Sequence, residues 1–86
     1  MIHYLQKAKA KWKIKKQLNQ IISEHIDYHK KGFSKPSQVQ KSDLDSVEIM
    51  ILAKEIELKW GRIELIELYQ AQSKEDLIEL IVKKLP

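Results

Sequence analysis

The apolar residues recur at helical spacing, and that periodicity limits the folds open to this chain more than any other feature. Ile14, Leu18, Ile21, Ile22 and Ile26 stand at i, i+4, i+7, i+8 and i+12, one stripe of an amphipathic helix. A second helix is predicted after Asp45. Along it Ile49, Leu52, Ala53, Ile56 and Trp60 form one apolar stripe, of which Ile49, Leu52, Ile56 and Trp60 are expected in the core, and Val47, Met50, Ile51 and Leu58 form another. A third stripe, Leu77, Ile78, Ile81 and Leu85, closes the chain. Period-two alternation appears only in KAKAKWKIK at 7–15, so the expected class is all-α.

The breaks between the stripes set the organisation. The first helix is expected to stop near Lys31-Gly32, because glycine ends helices readily and Pro36 follows. GFSKPSQVQKSD, residues 32–43, reads as a long loop that Phe33 and Val39 fasten to the core. Asp45 and Glu48 have capping-box spacing at the start of the second helix. Gly61 ends that helix. Ile63 to Tyr69 is long enough for a turn or two, and Ser73 caps the last helix with Asp76 three residues on.

At 86 residues the chain has the length of one domain with a modest core. It contains no cysteine, which leaves no disulfide framework and no thiolate metal site and fits a cytoplasmic setting. No apolar run approaches the roughly 20 residues of a membrane span, and the lysine-rich start has no apolar block after it to make a secretory signal. The net charge of +4 hides a division. Lys7, Lys9, Lys11, Lys13, Lys15 and Lys16 all precede the first acid, Glu24, whereas residues 43–82 hold ten acids against Lys54, Lys59, Arg62 and Lys74. The expected division is a basic N-terminal extension, 1–12, and a helical bundle, 13–86.

The order long helix, long loop, Asp-Ser at a helix start, short helix, final helix resembles the acyl carrier and peptidyl carrier protein family. Asp45-Ser46-Val47 is close to that family's Asp-Ser-Leu motif, and Trp60-Gly61 falls where the family places an aromatic at the end of its second helix. AQSKEDLIELIVKKL looks like its capped last helix, and Leu18, Ile21, Ile22 and Ile26 match its first. The resemblance covers roughly residues 13–85. It implies a four-helix bundle of three main helices and one short one. It also implies 4′-phosphopantetheine joined to the Ser46 hydroxyl as a phosphodiester by a phosphopantetheinyl transferase, with Asp45 part of the same site. The cofactor's thiol would carry an acyl or aminoacyl group as a thioester to acyl-loading and acyl-using enzymes, and Val47, Glu48, Met50 and Ile51 would be recognised by those partners. A helix N-terminus suits a phosphodiester anion, since its free amides and partial positive charge face it.

The chain departs from the family pattern at Asp43, where glycine is frequent, and at Ile51, where an acid is frequent; both departures point to a specialised carrier. A rival register sets Asp43 in the serine's place, which would make the chain a pseudo-carrier without a prosthetic group. Other constellations are weaker. His25 and His29 are four apart with Glu24 and Asp27 nearby, spacing that can bind a metal, but no third clear ligand accompanies them. With glycine only at 32 and 61 there is no phosphate-cradling loop, and no Ser-His-Asp set has context, so a non-catalytic, monomeric carrier is expected. The lysine arm, with Tyr4 and Trp12, reads first as a solvated extension or an early start of the first helix. It also supports a second function class, a small basic helical binding module for nucleic acid, a membrane surface or a protein. For a carrier, nucleic acid is set aside and a membrane surface is retained as a partner of the basic terminus.

Overall fold

The computed structural model describes residues 2–85, with side chains from residue 8 onward; Tyr4 and Lys7 of the arm lie outside the described side chains. Four α-helices follow in order: α1, Ile2–His25; α2, Ser46–Trp60; α3, Leu65–Gln70; and α4, Lys74–Lys84. Two 3₁₀ turns, Pro36–Gln38 and Lys41–Asp43, interrupt the α1–α2 connection. Helix makes up 72% of the chain, and no strand occurs among the described residues. The alternating lysines at 7–15 are therefore helical, and α1 runs through the 12/13 boundary without a break.

The stripes meet in one core. Ile14, Leu18, Ile21, Ile22 and Ile26 of α1 and its exit pack with Ile49, Leu52 and Ile56 of α2 and with Leu77, Ile78 and Ile81 of α4. Ile56, Leu68 and Ile81 have no exposed surface. Two ion pairs connect α1 to α4, Lys11 to Glu79 at 2.6 Å and Lys15 to Glu75 at 3.9 Å. Ascending numbers in α1 meet descending numbers in α4, so the two helices run antiparallel.

Two expectations need correction. α1 ends at His25, not near Lys31-Gly32. Asp27 is the cause: its Oδ1 accepts from the Lys30 amide at 3.1 Å, a side-chain turn that competes with helix continuation. The chain then folds back so that the Phe33 amide donates to the Tyr28 carbonyl at 3.0 Å, with Gly32 at φ 94 making the reversal. Trp60, expected in the core, is only half-buried. It lies at the last residue of α2 and borders a crevice with Ala10, Lys13 and Leu85, while the smaller Ile56 one turn earlier fills the centre. Leu85 is likewise half-buried at the end of α4.

The α1–α2 loop is held by its own polar side chains. Gln38 Oε1 accepts from the Ser34 and Lys35 amides at 2.9 and 3.1 Å, and Asp43 Oδ2 accepts from the Gln40 amide at 2.8 Å. Val39 is fully buried, Phe33 packs on the core edge, and Leu44 is buried just before α2. Lys74, the first residue of α4, is 5% exposed, and its ammonium donates to Asn19 Oδ1 at 2.9 Å and the Ser37 carbonyl at 3.2 Å. That one side chain ties α4 to α1 and to the loop, which fixes where the loop delivers the chain to α2.

Candidate functional site at the start of α2

The first turn of α2 is built by a reciprocal pair. Asp45 is the N-cap, in extended backbone at φ −82, ψ 177, and its Oδ1 accepts from the Glu48 amide at 2.8 Å. Glu48 Oε1 accepts in return from the Asp45 amide at 2.9 Å. This satisfies one of the orphan amides of the helix start and holds the entering chain at a fixed angle. Glu48 Oε1 also receives the Lys31 ammonium at 2.7 Å. The hydrogen bond to Glu48 raises the Lys31 pKa above the ordinary lysine value against a smaller opposing effect of burial, with Asp45 and Asp43 adding to the rise.

Ser46 is the first residue of α2 and is exposed. Its hydroxyl makes no hydrogen bond to another described residue, because Asp45 does the capping. The amides of Ser46 and Val47 are helix-start donors without intrahelical acceptors. Any group on the hydroxyl would therefore stand beside two free amides at the positive end of a 15-residue helix. Asp43 sits differently. It is half-buried at the end of a 3₁₀ turn, outside the helix, with its carboxylate committed to the Gln40 amide.

From this point an apolar surface extends along α2. Val47 is 66% exposed and Met50 59%, Leu58 continues the stripe, and Ile51 is half-buried beside it. The surface does not end with α2. Met50 and Leu65 line the same open groove of about 340 Å³, whose rim carries Lys54, Glu57 and Arg62, and Leu65, Ile66 and Tyr69 of α3 are exposed too. Sequence reasoning placed Val47, Glu48, Met50 and Ile51 on this face but missed the contribution of α3 and the presence of Lys31. A six-residue helix has too few positions for its outer and inner faces to be told apart by spacing.

Inside the bundle, a small gap lies beneath the segment that leads into α2. Leu18, Ile22, Leu44, Leu52 and Leu77, together with Gln40, Lys41 and Lys74, line about 10 Å³, the space of about one water. The two histidines do not meet. With α1 ended at His25 they no longer share a helix face; His25 Nε2 lies 3.3 Å from Glu55, and the His29 ring is tilted by 37° against that of Tyr28 at 4.3 Å between centres. No group of three or more potential metal ligands occurs among the described residues, and no described helix is long and apolar enough to cross a membrane.

No family model matches the chain, and neither the curated proteins nor the solved structures contain one that matches it.

Proposed function

We propose that the protein is a carrier of the acyl and peptidyl carrier type, bearing 4′-phosphopantetheine on Ser46. The observation that carries this reading is the division of labour at the start of α2. Asp45 and Glu48 cap the helix between themselves, which leaves the Ser46 hydroxyl exposed and free at the helix N-terminus. The fit to a phosphodiester rests on the uncommitted amides of Ser46 and Val47 and the positive end of α2. The carboxylates of Asp45 and Glu48 do not oppose it unscreened, since each accepts an amide and Glu48 also holds Lys31.

When bound, the group supplies a thiol that holds cargo as a thioester. The protein's own contribution is positional. The capped turn gives the tether a fixed root, and a tethered cargo reaches each partner at a high effective concentration. The face of Val47, Met50, Leu65, Ile66 and Tyr69 meets partner enzymes. The gap beneath Leu44 and Leu52, about 10 Å³, is too small as folded to take an acyl chain. No acid–base pair or nucleophile is recruited in this mechanism, and catalysis belongs to the partners.

The test is modification by coenzyme A and a phosphopantetheinyl transferase from the same host, read by intact mass. A single phosphopantetheine increment on the wild type and none on Ser46→Ala is the expected result. An increment that persists in Ser46→Ala, through Ser42 for instance, overturns the assignment to Ser46. No increment on a folded wild type with its matched transferase favours the pseudo-carrier register with Asp43 in the serine's place.

A further inference from the structure

The lysines of α1 divide into two sets. Lys11 and Lys15 turn toward α4 and pair with Glu79 and Glu75. Lys9, Lys13 and Lys16 are exposed, and Trp12 stands among them at 67% exposure. At about 100° per residue, Lys9, Trp12, Lys13 and Lys16 fall within one arc of roughly 100°, opposite the buried Ile14, Leu18, Ile21 and Ile22. Lys9 and Lys13 form no ion pair among the described residues, and Lys16 lies over the Trp12 ring with its ammonium 5.1 Å from the ring centre. The first acid of the sequence is Glu24, two turns beyond this face.

We propose that this outward face of α1 docks on an anionic phospholipid surface. The face carries three exposed lysines and one exposed indole. An indole favours the headgroup layer, and lysines flanking it lie along that layer with their ammonium groups against lipid phosphates and carboxylates. Charge complementarity supplies the attraction, because no carboxylate of α1 interrupts the stripe. The alternative polyanion, nucleic acid, is less well matched. Nucleic acid shares the phosphate attraction to lysine, but the four side chains include no arginine, whose planar fork suits paired recognition of phosphate and guanine, whereas a single indole among lysines suits the headgroup layer. The proposal stands apart from the carrier reading, since none of these residues touches the start of α2.

The experiment uses the full chain and vesicles of phosphatidylcholine with and without phosphatidylserine. Co-sedimentation is expected with the anionic vesicles, to weaken as salt is raised, and to be negligible with phosphatidylcholine alone. The triple variant K9Q/K13Q/K16Q should lower partition about a hundredfold, as expected for three lysines at an anionic surface. In a Trp60→Phe background, which leaves Trp12 as the one indole, emission should shift to the blue on binding; helicity by circular dichroism checks that this variant folds, and co-sedimentation of the wild type does not depend on it. Equal partition of the wild type and the triple variant overturns the proposal. So does tighter binding to an oligonucleotide than to anionic vesicles at matched phosphate concentration.

Discussion

Asp45 and Ser46 are adjacent, but the structure gives them separable effects. Asp45 accepts the Glu48 amide at 2.8 Å, and Asp45→Ala should lower stability by about 1 kcal/mol, the usual cost of a lost N-cap. Ser46→Ala removes an exposed hydroxyl that bonds no other described residue, and its unfolding free energy should stay within about 0.5 kcal/mol of wild type. Chemical denaturation of the two variants side by side checks the separation. Lys74 is a different case, a buried ammonium bonded to an amide oxygen and a carbonyl but to no carboxylate. Burial lowers its pKa, and the nearby Lys15 charge lowers it further. As pH rises the native state therefore releases this proton before the unfolded chain does. The unfolded state then holds more protons in the window just below about pH 10.4, so Lys74 makes stability rise with pH there. Lys31, whose pKa is raised, acts in the opposite sense at higher pH, where its loss of charge removes stability. Lys74→Met keeps the buried stem and should abolish the rise below about pH 10.4, while losing the bonds to Asn19 and Ser37 should cost about 1–3 kcal/mol at neutral pH. Denaturant midpoints across the alkaline range measure both effects.

Helix ends, more than helix interiors, determine how these elements meet. α2 ends at Gly61, with φ 117 and ψ 171, a region open almost only to glycine. A Cβ built there meets nothing within 4 Å, so the penalty of a side chain is conformational and not steric. Gly61→Ala should cost about 1–3 kcal/mol, visible as a lower melting temperature with unchanged helicity in the native baseline. The end of α1 was misplaced by sequence reasoning for a related cause. A helix-period stripe and a later glycine describe where a helix can run, but the Asp27 side chain captures the Lys30 amide and stops it at His25. The starts were legible because Asp45-x-x-Glu48 and Ser73-x-x-Asp76 are local hydrogen-bond chemistry that needs no distant partner.

For the molecule as a whole, the N-terminal extension is a continuation of α1, yet none of residues 8–12 is buried. The bundle contact of α1 begins in earnest at Ile14. Removing residues 1–12 should leave the fold intact and lower stability by about 1 kcal/mol or less, in line with loss of an exposed helix start and the surface pair of Lys11 with Glu79. Near-UV circular dichroism and urea denaturation of the truncated chain test this. A drop of several kcal/mol would show that the extension is structural. The division of charge also takes on spatial meaning in the assembled bundle: part of the basic arm is neutralised by α4, and part is left as an outward stripe.

What the sequence determined by itself is what depends on near neighbours in the chain. The all-α class, the three long apolar stripes, the caps at Asp45 and Ser73 and the exposed serine after the first cap all follow from periodicity and from hydrogen bonds spanning three or four residues. Only the tertiary structure decided which positions the assembled bundle covers. It left Trp60, at the last residue of α2, half-buried against the core, although the residue belongs to the same apolar stripe as the fully buried Ile56. It buried Lys74, whose partners Asn19 and Ser37 are distant in sequence. It also divided the lysines of α1, since an ion pair to Glu75 or Glu79 exists only once α4 lies antiparallel against α1. Burial and pairing across the bundle depend on where several helices stop, and those stops are set by single side chains such as Asp27, whose local bonds no periodicity reveals.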